Sequence, residues 1–320
     1  MSEGYTTLDR MEGLSSQTLS KLREAGYVTV ESIAVAPSRE LEARTGLSED
    51  TVVKVVKAAR DLCAIEFMSA DQLYERKKSA LRLTTGSKNL DSIIGGGVET
   101  QTILEIIGEF GSGKSQICLT LSALCQLPRD KGGIEGNVLF VDTEGTFYPQ
   151  RVYQIAQANG LDPEKTLSNI TYARAHNSDH QILIVEKCPK MILKNNIKLI
   201  IVDSIISHFR GEYMGRENLS ERQQKLNLHI HDLLRTAETY NLAVVVTNQV
   251  QSNPAAFFGD PNRPAGGNIL AHASTYRLYL RKSKASNRKA ILIDNPYLPE
   301  AEAMFQINEK GVTDIIETET

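Results

Sequence analysis

The run Gly108-Glu109-Phe110-Gly111-Ser112-Gly113-Lys114-Ser115 satisfies G-x-x-x-x-G-K-[ST] at every fixed position. It directly follows the apolar run TILEII and opens the helical run SQICLTLSALCQL. A strand, a tight glycine turn and a helix N-terminus in that order gather several backbone N–H groups around one point, and the helix adds positive potential there. Phosphate is the natural occupant. Lys114 is placed to reach β- and γ-phosphates, and the Ser115 hydroxyl to take a position on Mg2+. Gly108, Glu109, Phe110, Gly111, Ser112, Gly113, Lys114, Ser115 and the adjoining Gln116 are therefore the expected cradle for ATP. An accidental glycine-rich turn would not explain both the full motif and its context.

From about residue 81 short β-rich runs alternate with helical ones: TILEII, VLFV, LIIV, LAVVV, YRLYL and KAILI are the strands. That alternation predicts an α/β domain with a largely parallel sheet covered on both faces. Parallel strands present their active residues at their carboxyl ends. KLIIVDS ends in Asp203, suited to organising Mg2+. VLFVDTEG ends with Asp142 and Glu144, and a carboxylate there can polarise an attacking water. LAVVVTNQ ends with Asn248 and Gln249, both suited to sensing a γ-phosphate. Any one of these polar strand ends alone reads as a cap or turn. Four of them after four apolar strands do not.

Residues 1–62 read as a separate helical module, with short periodic stretches punctuated by Gly26 and Gly46. Ser48 is a candidate N-cap before the apolar stripe Val52, Val55, Val56 and Ala59. Residues 63–80 read as a linker and 81–320 as the core. The net charge of −3 over 320 residues excludes bulk-charge coating of nucleic acid, so any such site is a local patch. No apolar run approaches a membrane span, the N-terminus lacks a signal pattern, and Cys63, Cys118, Cys125 and Cys188 form no metal or redox spacing. An intracellular compartment is expected, with Cys118 and Cys125 as core filler.

The ordered motifs GEFGSGKSQ, VDTEGTF, LIIVDS, SERQQKLN, VTNQV, PAGGNILAHAST, RLYLRK and DNPYLPEAEA resemble the archaeal RadA and eukaryotic RadA-like recombinases of the RecA superfamily, over essentially the whole chain. The resemblance implies a RecA-like ATPase core behind a helix-hairpin-helix domain. It implies a DNA-dependent ATPase that forms filaments on single-stranded DNA, pairs them with duplex DNA and serves recombination and repair. By residue match Lys114, Ser115 and Asp203 hold phosphate and Mg2+, Glu144 is the catalytic base and Gln249 couples the γ-phosphate to a DNA loop. Arg151 packs on adenine. The segment 294–300, with Asp294 and Pro296, caps a neighbour's ATP, and His272 senses that neighbour's γ-phosphate. Asp294 is also the match for a ligand to a monovalent cation such as K+. Self-association runs through Phe67 and Ala70, matching Phe-x-x-Ala, and yields a filament or ring. Recombination mediators are further implied partners, and the cytoplasm of an archaeal cell, at the nucleoid, the implied location.

Two DNA loops follow from the same resemblance. The first, about 210–222, carries Arg210, Arg216 and Arg222. Seen alone it reads as a solvated loop, because Glu212, Glu217 and Glu221 offset the charge. The second, about 251–268, carries Phe257, Phe258 and Arg263 in a run rich in Pro, Gly and Asn. Its aromatics can wedge against bases or be buried anchors. A basic stretch at 281–289 reads as a hairpin with a solvated tip or a secondary contact to duplex DNA. Two departures stand out. MEGLSSQTL lacks one glycine of the phosphate-binding hairpin turn, and Tyr148-Pro149-Gln150-Arg151 replaces Arg-Pro-Glu-Arg. Competing readings are a regulatory paralogue that binds ATP and the true recombinase, and a RecA-type hexameric helicase or clock-type ATPase. The 294–300 cap, Phe-x-x-Ala and the two loops argue against the last.

Overall fold

The computed structural model describes residues 6–63, 69–78, 80–215, 217–252 and 262–315. The chain divides into two compact units, Met1–Ser79 with Val185–Lys194, and Ala80–Ile184 with Asn195–Thr320.

The first unit contains α1 (Ser16–Glu24), α2 (Val30–Ala34), α3 (Ser38–Thr45), α4 (Glu49–Leu62) and α5 (Ala70–Lys78). Local chemistry sets the boundaries. Ser15 and Thr29 accept hydrogen bonds from the amides of Thr18 and Ser32, capping α1 and α2. Gly46 ends α3 in the left-handed region, at φ 62°. Ser48 occupies the N-cap position of α4, yet its hydroxyl meets Thr51 Oγ1 and no backbone amide. The stripe Val52, Val55, Val56 and Ala59 is buried with Leu22, Ile33 and Leu41. The stretch expected as a linker carries the nine-residue helix α5, on which Ala70 is exposed. Phe67 lies outside the described residues.

The second unit is α/β. In chain order it contains β1 (Arg82–Leu83), α6 (Lys88–Ile93), β2 (Val98–Glu99), β3 (Ile103–Gly108), α7 (Lys114–Leu124), β4 (Asn137–Asp142), α8 (Pro149–Ala158), α9 (Pro163–Ser168) and β5 (Ile170–Arg174). There follow α10 (Ser178–Asn195), of which Val185–Lys194 count with the first unit, β6 (Ile197–Asp203), α11 (Ser207–Glu212), α12 (Leu219–Tyr240), β7 (Ala243–Ser252), β8 (Asn262–Pro264) and α13 (Asn268–Ala273). The unit ends with β9 (Tyr276–Lys282), β10 (Asn287–Asp294), β11 (Ala301–Asn308) and β12 (Gly311–Thr313). The main sheet runs β12-β11-β10-β9-β3-β7-β6-β4-β5, with β8 on β7. From β9 to β5 every pairing is parallel, while β9 to β12 form an antiparallel meander. Strands buried on both faces read as near-continuous apolar runs; β4 does so over Val138–Val141, and β3 and β6, short of their last residues, do so apart from Glu105 and Lys198. Leu104, Phe140, Ile201 and Val245 pack with Ile117, Cys118 and Leu121 of α7 in one cluster. Cys118 and Cys125 are buried there, and burial pushes both thiols up. No helix among the described residues is long and apolar enough to cross a membrane.

Candidate nucleotide-binding site

The register of the parallel strands brings their ends together. Gly108 stands opposite Gln249 on β7 and Leu280 on β9, and Asp142 stands opposite Asp203. At this edge lies a cavity of about 620 Å3, a size that suits a small-molecule ligand. Gly108, Glu109, Phe110, Gly111, Gly113, Lys114, Ser115 and Gln116 line it together with Glu144, Asp203 and Gln249.

Glycine is required in the loop for two reasons. Gly111 and Gly113 adopt φ values of 73° and 111°, which L side chains avoid. A Cβ on Gly108 would meet Ser112 Oγ at 2.5 Å and the Leu280 carbonyl at 2.9 Å. Lys114 Nζ donates to the carbonyls of Gly108 (2.9 Å) and Glu109 (3.0 Å). Burial lowers its pKa, against the raising influence of Asp203 and Glu144. The Ser112 hydroxyl is buried without a hydrogen-bond partner. A glycine-rich loop at a helix N-terminus and a partly buried ammonium satisfied only by its own loop carbonyls fit a polyphosphate. The Ser115 hydroxyl and the Asp203 carboxylate are hard oxygen donors of the kind Mg2+ takes. Phe110, 95% exposed, stands out from the loop into solvent.

The carboxylates divide the work by their surroundings. Asp203 is nearly buried and accepts from Thr247 Oγ1 (2.5 Å) and Thr146 Oγ1 (3.2 Å). Asp142 is fully buried and lines no part of the cavity. It accepts from the amides of Glu144 (3.1 Å), Gly145 (2.7 Å), Thr146 (3.2 Å) and Phe147 (3.2 Å), from the Tyr172 hydroxyl (3.1 Å) and from Arg174 (3.1 Å). It therefore shapes the loop that presents Glu144. Burial and the neighbouring Asp203 raise the Glu144 pKa, with Lys114, Ser207 and Gln249 opposing. Gln249 Nε2 donates to Glu144 Oε1 at 2.7 Å, joining the ends of β7 and β4.

Asn248 lines no part of the cavity. It is buried on the opposite face of β7, where its amide donates to Glu105 Oε1 (2.7 Å) and the Ala265 carbonyl (2.6 Å). Glu105 is also paired with Arg277, at 2.7 Å. Arg151 borders the cavity through Gln116 (2.9 Å) and donates to the carbonyls of Asn308 and Glu309. Burial lowers its pKa. His272, Asp294 and Pro296 are exposed and line no part of the cavity. Asp294 pairs with Arg277, itself opposite Glu105, so it sits three residues short of Gly108, roughly 10 Å along the strand. Beyond it the chain runs further from the loop, where Asn295 Nδ2 donates to the Thr275 carbonyl and the Tyr297 hydroxyl to Glu99.

Of the expected DNA contacts, Arg210 on α11 and Arg222 on α12 are half-buried. The Gln251 side-chain oxygen faces Arg210 Nε (3.2 Å) and Nη2 (3.1 Å). Glu212 is exposed and accepts from the Ser178 amide (2.7 Å) and hydroxyl at the start of α10. Arg216, Phe257 and Phe258 lie outside the described residues, and of Arg263 only the backbone, paired with Gln251, is described. Sequence reasoning missed Arg288 and Ile307, which line the cavity from β10 and β11, and Thr146. No local signal marks the first two, because they arrive through the meander.

Residues 76–315 match the family model described as Rad51, and residues 5–61 match a SAM-like helix-hairpin-helix tandem. The first match covers three quarters of the chain. With the Gly108–Ser115 loop, Asp203 and Glu144 on one cavity, the chain belongs to the Rad51 family of RecA-like recombinases and carries a helix-hairpin-helix domain ahead of the core.

Proposed function

We propose that this protein is a DNA-dependent ATPase of the archaeal RadA type, which assembles as a filament on single-stranded DNA and exchanges strands with a homologous duplex in recombination and repair. The observation that carries the reading is the convergence of Lys114, Asp203 and the Glu144–Gln249 pair on one cavity in a Rad51-family chain. Lys114 and the loop amides bind the phosphates. Ser115 and Asp203 would hold Mg2+, which supplies charge neutralisation when bound. Glu144 accepts the proton of the attacking water, and its raised pKa suits that task. Gln249 reports the γ-phosphate to the loop that β7 enters. Arg151 packs on adenine.

His272, Asp294 and Pro296 act on a neighbouring copy's nucleotide, with K+ held at Asp294. Phe67 and Ala70 dock on that neighbour, as the aromatic anchor and the small residue beside it. Arg210, Arg216, Arg222 and Arg263 meet DNA phosphates, and Phe257 and Phe258 wedge between bases. Recombination mediators load the protein at the nucleoid. The test is ATP hydrolysis at fixed salt with and without single-stranded DNA, for the wild type and Glu144→Gln. Severalfold stimulation of the wild type, with a variant that binds DNA but does not hydrolyse, supports the proposal. If DNA changes nothing while ATP still binds, a regulatory paralogue is the better reading.

A further inference from the structure

The β9–β10 hairpin carries the basic cluster Arg281, Lys282, Lys284, Arg288 and Lys289. Its register turns part of that cluster towards the cavity. Leu280 stands opposite Gly108, so the residues after it overhang the phosphate loop, and Arg288 pairs with Lys282 across the hairpin. A Cβ built on Gly111 would come within 3.1 Å of Lys282 Nζ, and one on Gly113 within 3.8 Å of Arg288 Nε. Arg288 lines the cavity beside Gly113, Lys114 and Ser115.

The hydrogen bonding of Arg288 is incomplete. Its Nε is buried without a partner. Its Nη1 donates to the carbonyls of Ala285 (3.2 Å) and Asn287 (2.8 Å), both in its own hairpin. Lys114 is in the same condition, resting on two carbonyls of its own loop. Two cations that face one cavity and lean on neutral backbone acceptors are arranged for an anion. Charge-assisted bonds to phosphate are roughly twice as strong as bonds between neutral groups. A guanidinium fork also matches phosphate geometry, which an ammonium does not.

We propose that Arg288 is a ligand to the nucleotide phosphates, supplied by the same chain that supplies Lys114, and that it leaves the Ala285 and Asn287 carbonyls to engage them. The inference rests on the nucleotide reading of the cavity. It makes the basic hairpin an element whose anchoring depends on nucleotide occupancy, rather than a surface feature independent of it.

The experiment measures equilibrium affinity of the full chain for fluorescent analogues of ATP, ADP and AMP, with Mg2+ and without DNA. The proteins are the wild type, Arg288→Ala, Arg288→Lys and Lys114→Ala, each checked for folding by far-ultraviolet circular dichroism. Arg288→Ala is expected to weaken ATP and ADP by about tenfold, the loss of one charge-assisted contact, and AMP by under about twofold. Arg288→Lys, which keeps the charge and spares the hairpin the larger truncation, recovers part of the loss. Wild-type affinity for ATP in Arg288→Ala, beside a clear loss in Lys114→Ala, overturns the proposal. So does an equal loss for ATP and AMP, which would mark Arg288 as hairpin packing. Retention of ATP by Lys114→Ala instead brings down the nucleotide reading itself.

Discussion

Lowering the pH from 7 to 5 is expected to destabilise this protein through one buried histidine. His229 on α12 is fully buried beside Phe209, their ring centroids 5.9 Å apart. Gln181 Nε2 donates to the Ile205 carbonyl at 3.1 Å, which fixes the amide, and the same nitrogen lies 3.1 Å from His229 Nε2. Nε2 is therefore the acceptor, and the proton sits on Nδ1, which has no partner. A second proton would set a donor against a donor inside the core. Burial alone pushes the His229 pKa down to about 3. The unfolded chain titrates near 6.5. Between those values the unfolded state binds the extra proton, so stability is complete above about 6.5 and falls as pH drops towards 3. At pH 5 the loss relative to pH 7 is about 2 kcal/mol. Guanidinium unfolding of wild type and His229→Phe at both pH values isolates it. The variant fills the site with an apolar ring and leaves Gln181 its bond to Ile205, and titration of every other group is common to both proteins. The wild type is expected to lose about 2 kcal/mol more than the variant on acidification. Equal losses in the two proteins would refute the reasoning.

Two further outcomes follow from buried charges. Asp142→Asn puts an amide N–H among donors that now converge on a carboxylate; a loss of about 2–4 kcal/mol in stability is expected, and hydrolysis falls further than nucleotide affinity because Glu144 loses its support. Thermal unfolding and fluorescent-nucleotide titration check both parts. Arg277→Met strands the fully buried Glu105 and is expected to cost about 3–5 kcal/mol, most of which returns when Glu105→Gln is added, since the glutamine still accepts from Asn248; a double-mutant cycle in chemical denaturation decides it.

What the sequence disclosed and what it hid follow from the range of the interactions. The phosphate loop, Asp203 and Glu144 were legible because each sits within a few residues of the apolar run that delivers it. Asn248 was misread for a reason that strand geometry supplies: neighbours in a strand face opposite ways, so Asn248 and Gln249 cannot both address the cavity. Gln249 takes the cavity face, and Asn248 ties Glu105 to the Ala265 carbonyl. Glu212 stays at the surface, but its hydrogen bonds to Ser178 were hidden because that partner is distant in sequence. Arg288, read with its hairpin as a solvated tip or a contact to duplex DNA, was not linked to the cavity because only the pairing of β9 with β3 shows where that hairpin hangs.

The position of Asp294 has a consequence for how copies can meet. The cavity opens at the carboxyl ends of the parallel strands, while Asp294 and the residues after it lie towards the other end of the same sheet. If they serve a neighbour's nucleotide, each molecule has a receiving end and a donating end, and a two-fold dimer that joins like ends completes no site. Head-to-tail contact completes one at every junction, and such contacts either close into a ring or continue without limit. An open stack then always contains one cavity without a donor, whereas a ring contains none. Turnover per chain in an open stack rises with stack length, and hence with protein concentration; in a closed ring it does not.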